Sequence, residues 1–290
     1  MSAIKCGSLL ELSDAYVRYA LVEISSLCYD RWTKSDVCRK MSLAGWDTVA
    51  VWKTYRQGSD YSYALGAFPT WELLQHRPEQ VLEVLMHPSF VSSETGQAIL
   101  EQSENVPWQV HIDAKAIARL SPKENCYLVG VFAKYSDALE LNASNVLLVQ
   151  PANAGNVGTI MRSMLGFGVN DLAIIPPAVD CFDPRVVRAA MGAHFRMRFT
   201  TYPDYAAYAQ HFPQHHLYPF MLQGAVRLQD ATLTQPFGLI FGNESTGLDA
   251  SYAHVGQSVV IEHANTIDSL NVTIAAGIAL HHFAHAAFEA

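Results

Sequence analysis

Polar side chains of types that bind anions and hydroxyl groups occur in three separate stretches of the second half of the chain. Asn156 and Arg162 lie in the first stretch, Glu244 in the second, and Ser269 and Asn271 in the third. A partly buried arginine needs an anion or several acceptors, and a buried asparagine without partners costs about 1–3 kcal/mol. These residue types indicate a polar ligand that carries phosphate or ribose. The structural alternative stays open, with Arg162 on a solvated helix face and Asn271 tying down a neighbouring loop.

The first stretch is predicted to lie in a strand–loop–helix–strand unit. Residues 145–150 have the apolar run of a strand, 151–158 read as a loop, 159–167 as a helix and 172–175 as a second strand. This order is typical of a parallel α/β sheet. Glycines at 155 and 158 ahead of a helix are a weak indication of phosphate binding. The Gly-x-Gly-x-x-Gly pattern is incomplete, which disfavours an ordinary dinucleotide-dependent enzyme.

The other two stretches also follow predicted strands. Residues 236–241 read as a buried strand that runs into Gly242 and Glu244, a pattern that favours a ligand at the carboxyl edge of a parallel sheet. Residues 259–261 read as the last strand. A helix is then expected, capped by Asp268 or Ser269, with Asn271 one turn inside it.

The first half of the chain is predicted to form two further pieces. Residues 61–140 alternate strand-like and helical segments, with strands at 81–86, 109–112 and 127–132, as in a small α/β domain. Residues 1–60 read as a helical extension. Its mixed aromatic and basic side chains either stack on RNA or form a packing face with solvated charges. Residues 141–290 would form the last domain.

Composition excludes several classes of protein. The 290 residues are half hydrophobic, enough for one large domain or two ordinary ones. The sequence shows no membrane span and no signal peptide at its start. Five scattered cysteines without a Cys-x-x-Cys pair predict reduced thiols, a cytoplasmic protein and no metal site.

Charge is unevenly distributed. A net charge of -8 argues against simple electrostatic adhesion to nucleic acid. No lysine follows Lys134, however, and five of the six later arginines lie between Arg162 and Arg198. Arginine suits bidentate contact with phosphate. Arg185 and Arg188 would share a helix face, where they either grip RNA phosphates or remain solvated.

The three stretches together resemble a known family. Residues 156–162 (NVGTIMR), 239–248 (LIFGNESTGL) and 261–273, which include SLNVT, resemble in order and spacing the three motifs of SpoU-type (TrmH-like) RNA ribose methyltransferases. These enzymes are a branch of the SPOUT trefoil-knot superfamily. The resemblance covers residues 145–288, and residues 61–138 more weakly resemble the small RNA-binding domain that precedes the knot in many such enzymes.

The resemblance implies a fold, a cofactor and partners. It implies a deep trefoil knot in the C-terminal parallel α/β domain, a homodimer whose active site is completed across the interface, and an RNA substrate, either tRNA or rRNA. It also implies S-adenosylmethionine bound in a bent shape by the loops of the knot. The cofactor-binding residues implied on this sequence are Phe220, Met221, Leu222, Gly242, Ile261, Ser269 and Leu270.

The resemblance also implies roles for the polar residues. Arg162 would act with an RNA phosphate to lower the pKa of a ribose 2′-hydroxyl or to relay its proton, and Asn156 would hold the ribose or Arg162. Glu244 would fix a loop by accepting backbone or arginine hydrogen bonds, while Ser269 and Asn271 would position cofactor and substrate. No metal is implied.

One further class remains open. A non-catalytic RNA-binding or ribosome-assembly factor with a vestigial knot would account for the negative charge and for Glu262-His263, where the family commonly has Pro-Met. Binding of S-adenosylmethionine distinguishes the enzyme from this alternative.

Overall fold

A computed structural model describes residues 52–121 and 125–288, with side chains described as far as residue 284. The predicted helical extension of residues 1–60 lies outside the described residues, except for its end, which is irregular from residue 53 to 60. Residues 53–290 form one compact unit. This unit holds two main sheets, each built from a segment that the sequence assigns to an α/β domain, and a small two-stranded sheet.

The first sheet has four strands in the order β1-β4-β2-β3. Strands β2 and β3 are parallel, and the other pairs are antiparallel. The strands are β1 (Tyr61–Leu65), β2 (Val81–Met86), β3 (Gln109–Ile112) and β4 (Leu128–Ala133). The helices are α1 (Ala67–His76), α2 (Glu94–Ser103) and α3 (Ala114–Leu120), with short 3-10 turns at Pro78–Gln80 and Pro88–Phe90. The strands predicted at 81–86 and 109–112 are confirmed, and the one predicted at 127–132 is displaced by one residue.

Side-chain caps set the starts of two of these helices. The hydroxyl of Ser93 accepts a hydrogen bond from Gly96 N at 3.0 Å at the start of α2. The Asp113 carboxylate accepts bonds from Lys115 N and Ala116 N, both at 2.9 Å, at the start of α3. Such caps satisfy amides that lack a partner in the first turn of a helix.

The second sheet has five parallel strands in the order β7-β6-β5-β10-β8. The strands are β5 (Asn145–Val149), β6 (Asp171–Ile175), β7 (Arg198–Thr201), β8 (His216–Pro219) and β10 (Phe237–Phe241). The helices are α4 (Ala154–Gly166), α5 (Pro184–Ala189), α6 (Ala193–Arg196), α7 (Tyr205–His211) and α8 (Val272–Phe288). Two-residue strands β9 (Val226–Arg227) and β11 (Val259–Val260) pair outside the sheet, and 3-10 turns lie at Leu228–Asp230 and Ala250–His254.

Both faces of the parallel sheet are covered, as its uniformly apolar strands require. Val146 and Leu148 of β5 point into a core shared with α4, α5 and α8. Leu147 and Val149, which alternate with them, point into a second core beneath α7. The chain therefore has the α/β architecture with a parallel sheet that the sequence predicts. Within the described residues, no helix is both long and apolar enough to cross a membrane.

The two sheets share packed side chains. Val187 of α5 and Phe195 of α6 lie in one apolar cluster with residues of the first sheet, among them Phe132 of β4. Gly192, between α5 and α6, has a φ of 85°, and a Cβ at this position would lie 2.4 Å from Cγ of Glu72. The left-handed backbone and the close approach of α1 both favour glycine here.

Candidate functional site

The helix that carries Asn156 and Arg162 begins earlier than predicted. Asn153 stands before α4, and its side-chain oxygen accepts a hydrogen bond from Asn156 N at 3.1 Å. The prediction that residues 151–158 form a loop is therefore wrong beyond residue 153. Asn156 lies in the first turn of α4 because Asn153, whose capping role was not recognised in the sequence, starts the helix there.

Glu244 joins the loop after β10 to the start of α4. Its carboxylate accepts hydrogen bonds from Ala152 N at 3.0 Å, from Asn153 N at 3.1 Å and from the Asn156 side-chain amide at 3.1 Å. Partial burial by itself raises the pKa of Glu244, but these hydrogen bonds favour the ionised form and lower the pKa below its ordinary value. Asn156 and Glu244, 88 residues apart in sequence, are thus in direct contact.

The loop after β10 folds back tightly on itself. A Cβ at Gly242 would lie 2.2 Å from the carbonyl carbon of Gly247, a separation that real Cβ atoms do not show. The side-chain oxygen of Asn243 accepts bonds from Ser245 N at 2.9 Å and Thr246 N at 3.3 Å. The loop shape therefore depends on a glycine at 242 and on the carboxamide of Asn243.

Asn243 also ties this loop to the end of β5. Its side-chain nitrogen donates to the carbonyl oxygen of Gln150 at 2.8 Å. Gln150 has a φ of 55°, a conformation that a residue other than glycine adopts at some cost. Neither residue was predicted to belong to the site. The Gly242-Asn243-Glu244 sequence carries a signal for Asn243, because asparagine commonly bonds to backbone amides two or three residues further on.

Phe220 and Met221 lie beside the ends of β10 and β11. Phe220 N donates to Ile240 O and Met221 N to Val259 O, both at 2.9 Å. The ring of Phe220 stacks on Phe241, with centroids 4.7 Å apart. Strand β8 ends at Pro219, and Phe220 bridges Val259 while its amide remains bonded to β10. Gly242 lies two residues after Ile240, and Ile261 lies two residues after Val259, the residues that accept these two bonds.

The position of Asn271 differs from the prediction. Helix α8 begins at Val272, and Asn271 is an exposed residue directly before it. Its side-chain oxygen accepts bonds from Thr273 N at 2.8 Å and from the Thr273 hydroxyl at 2.6 Å. Asn271 thus occupies the capping position expected for Asp268 or Ser269. Ser269 is exposed, and Leu270 is half-buried.

Arg162 is exposed rather than half-buried. No side chain or carbonyl in the described part of the chain lies within hydrogen-bonding distance of its guanidinium group, which therefore remains available to an external anion. Helix α4 packs against α8, since Ile160 and Met161 share a core with Ala276 and Leu280. The structure thus places the helices of Arg162 and Asn271 side by side, without a direct bond between these two residues.

Some of the predicted residues are brought together in two groups. Direct hydrogen bonds connect Asn156 with Glu244, and backbone bonds hold Phe220 and Met221 beside the strands that precede Gly242 and Ile261. Leu222 is 62% exposed next to this second group. Among the residues with described side chains, no cluster of three or more His, Cys, Asp or Glu could hold a metal ion.

Comparisons with known proteins match this half of the chain. Residues 143–281 match the SpoU rRNA Methylase family. The 23S rRNA (guanosine(2553)-2′-O)-methyltransferase RlmP of Bacillus subtilis is 27% identical over 144 residues, which are 48% of this chain and 58% of that protein. The 23S rRNA (uridine(2479)-2′-O)-methyltransferase of Streptomyces viridochromogenes is 30% identical over 139 residues, 45% of this chain and 48% of that protein. The chain thus spans about half the length of these curated relatives.

Solved structures share the fold over a larger part of the chain. The SpoU methyltransferase AviRb from Streptomyces viridochromogenes, in complex with AdoMet, superimposes with a TM-score of 0.70 at 22% identity over 80% of this chain and 92% of that one. An AdoMet-bound rRNA methyltransferase from Sinorhizobium meliloti gives 0.68 at 22% identity, over 80% and 89% of the two chains. At this identity the likeness establishes the fold. Residues 143–281 of this chain are therefore similar in sequence to the SpoU rRNA Methylase family and lie within the part of the chain that shares this fold.

Proposed function

We propose that this chain transfers a methyl group from S-adenosylmethionine to a ribose 2′-hydroxyl of RNA. The main support is the placement of Asn156, Glu244 and the loops at 220–222 and 242–247 at the carboxyl edge of the parallel sheet, within the segment that matches the family. Ligands of open α/β sheets bind at this edge. The curated relatives are named for ribose methylation of 23S rRNA, which favours rRNA over tRNA as the substrate.

The loops have the chemistry that S-adenosylmethionine requires. Phe220 and the exposed Leu222 offer apolar contact to an adenine ring, and the backbone at Gly242 and Ile261 offers polar groups close to it. Met221, Ser269 and Leu270 complete the proposed set. When bound there, S-adenosylmethionine supplies a methyl group on a positively charged sulfur.

The polar residues would prepare the hydroxyl for attack. A ribose 2′-hydroxyl is a poor nucleophile that must lose its proton as it reacts. A guanidinium is not deprotonated in proteins, so Arg162 would bind an RNA phosphate and lower the pKa of the hydroxyl, or let the phosphate take the proton. Asn156 donates its amide to Glu244, which leaves its side-chain oxygen to accept a bond from ribose or Arg162. Ser269 and Asn271 would orient cofactor and ribose, and orientation supplies most of the rate enhancement.

We also propose the trefoil knot that the family resemblance implies. After β10 the chain returns to lie against β8 and the segment that follows it: Gln257 N donates to Leu217 O at 2.9 Å, and Val226 N donates to Ser258 O at 3.1 Å. Helix α8 then packs on α4, across the sheet edge. A crystal structure with an unthreaded C-terminal segment would refute the knot.

A homodimer is proposed on separate grounds. Ile274 and Ile278, one turn apart on α8, are 54% and 39% exposed, although α8 borders the proposed site. Covering this apolar face with a second copy would complete the site across the interface. Sedimentation equilibrium of the full chain tests this proposal. Detection of only the monomer at micromolar concentration would contradict the dimer.

The proposed activity is tested by Arg162→Ala. We expect methyl transfer from labelled S-adenosylmethionine to the RNA of cells lacking this chain to fall by at least about 100-fold, the range for loss of a group that acts in proton transfer. Affinity for S-adenosylmethionine, measured by calorimetry, and the melting temperature should remain unchanged because Arg162 bonds to no residue in the described part of the chain. Full activity of the variant would refute the role of Arg162. Absence of cofactor binding by the wild type would instead favour the non-catalytic RNA-binding alternative.

A further inference from the structure

Exposed arginines without an acidic partner gather on one side of the parallel sheet. In the described part of the chain after Lys134, three arginines are neutralised by carboxylates: Arg185 by Asp183, Arg198 by Asp171 and Arg227 by Asp230. The other three, on the consecutive helices α4, α5 and α6, are exposed and have no such partner there: Arg162, Arg188 and Arg196. In a chain of net charge -8, three unneutralised cations on neighbouring helices form a local positive surface.

A backbone contact fixes Arg188 relative to Arg162. Helix α5 lies directly on α4 at Gly158, where a Cβ would come within 2.5 Å of Val186 O and 2.6 Å of the Ala189 Cβ. Only glycine allows this approach. Arg162 lies four residues after Gly158, about 6 Å further along α4, and Arg188 directly precedes Ala189. The two arginines therefore flank the same helix crossing. Helix packing, and not loop motion, determines the distance between their backbone positions.

Two exposed arginines whose backbone positions are set by helix packing suit the backbone of one nucleic-acid strand. Arginine binds phosphate in a bidentate manner and is weakly hydrated, so it loses little on contact. Phosphate contacts set the register of the nucleic acid without reading its bases. We propose that Arg188 binds an RNA phosphate adjacent to the one bound by Arg162, and so positions the ribose over the methyl-transfer site. This assignment rests on the RNA-directed function proposed above.

Arg185 provides a matched control on the same helix. It lies three residues before Arg188 and is 77% exposed at its side chain, yet its NH2 group is 2.7 Å from the Asp183 carboxylate. Its Nε atom also donates to Asp183. A guanidinium already engaged in this way adds little to a phosphate contact. Arg185 and Arg188 thus differ in available charge while sharing helix, residue type and exposure.

The test measures RNA affinity as a function of salt. A fluorescein-labelled RNA hairpin with single-stranded flanks is titrated with the full chain across a series of KCl concentrations. We expect Arg188→Gln to reduce the slope of log K against log [salt] by about 0.7–0.9, the value for one lost phosphate contact. Affinity at fixed salt should fall about three- to tenfold. Arg188→Lys should retain the slope, because it keeps the charge, and Arg185→Gln should leave slope and affinity unchanged.

The outcomes separate this surface from the proposed enzyme activity. An unchanged slope in Arg188→Gln, or an equal loss in Arg185→Gln, would overturn the assignment of Arg188. Polyglutamate is added as a competitor at equal charge concentration. If it displaces the RNA from the wild type, and Arg188→Gln changes this displacement, the result would point to an acidic protein partner instead. Methyl transfer by the same protein samples is measured on the RNA of cells lacking this chain. A wild type that binds the hairpin with the expected slope but transfers no methyl group to that RNA would refute the enzyme while leaving the phosphate contact standing.

Discussion

Glu244 connects two loops at the site through its charge. It accepts two backbone amides and the Asn156 amide, and this set of donors lowers the pKa of its carboxyl group below the ordinary 4.5. A carboxylate lies at this position because ionised oxygens accept several bonds at once. The sequence resemblance implied loop fixing by Glu244 through backbone or arginine hydrogen bonds. The bonds formed here are with two backbone amides and with the side-chain amide of Asn156.

The charge of Glu244 predicts a pH-dependent contribution to stability. Because the folded-state pKa is lowered, this contribution is present above about pH 4.5 and is lost as the pH falls through the folded-state value. We expect Glu244→Gln to lower the free energy of unfolding by about 1 kcal/mol at pH 7, a figure that allows for partial exposure. The difference from wild type should shrink as the pH falls toward about 3.

Urea unfolding at a series of pH values measures this difference. Glu262→Gln, at an exposed position, serves as the control that should show no comparable loss. A difference between wild type and Glu244→Gln that stays constant from neutral to acidic pH would show that the carboxylate charge does not hold these loops.

At the scale of elements, two glycines, Gly242 and Gly277, have opposite surroundings. Gly242 ends the run from β10 where the chain turns back on Gly247 and Leu248, so that a Cβ would lie 2.2 to 2.4 Å from backbone atoms. Gly277 lies within α8, and a Cβ there would meet nothing within 4 Å. The loop therefore depends on glycine, whereas the helix only tolerates it.

This contrast predicts opposite effects of the same substitution. Gly242→Ala should destabilise the chain by about 1–3 kcal/mol, because backbone atoms must shift, and should weaken S-adenosylmethionine binding at the adjoining loops. Gly277→Ala should leave stability unchanged or raise it by up to about 1 kcal/mol, as alanine favours helix. Chemical unfolding and calorimetry with the cofactor measure both. Equal behaviour of the two variants would contradict the tight turn after β10.

At the scale of the whole molecule, Arg77 connects the halves of the unit that contain the two main sheets. It follows α1 and donates to both carboxylate oxygens of Asp137, at 3.2 and 2.9 Å. It also donates to Phe195 O at 3.1 Å and Met197 O at 3.3 Å, and its guanidinium lies 4.5 Å from the centre of the Tyr135 ring. The planar group satisfies acceptors from the connecting segment and from the parallel-sheet half at once.

Loss of these Arg77 contacts should lower the free energy of unfolding. Arg77→Gln is expected to cost about 2–3 kcal/mol, since a mostly buried carboxylate and two carbonyls lose their donor. Arg227→Gln removes an ion pair with Asp230 that is exposed to solvent, and it should cost much less stability than Arg77→Gln because water screens such a pair. The two variants are compared by urea denaturation, which is monitored by tryptophan fluorescence and circular dichroism. The proposed role of Arg77 would be wrong if the two variants lost equal stability.

The sequence by itself determined the α/β class and the positions of strands such as β5, β6 and β10. Apolar runs such as residues 145–149 and 237–241 form strands because every one of their side chains is buried, and continuous apolarity records that burial. Motif order likewise identified the segment that matches the SpoU family, because residue identity at fixed spacing survives where overall similarity is low.

Only the tertiary structure decided the remaining features. Helix starts at Ala154 and Val272 depended on which of several possible caps, Asn153 and Asn271, found amides to bind. The contact of Glu244 with Asn156 joins residues 88 positions apart, and the approach of α5 at Gly158 depends on packing between helices. Such contacts depend on how the chain returns in three dimensions, and local propensity carries no information about that path.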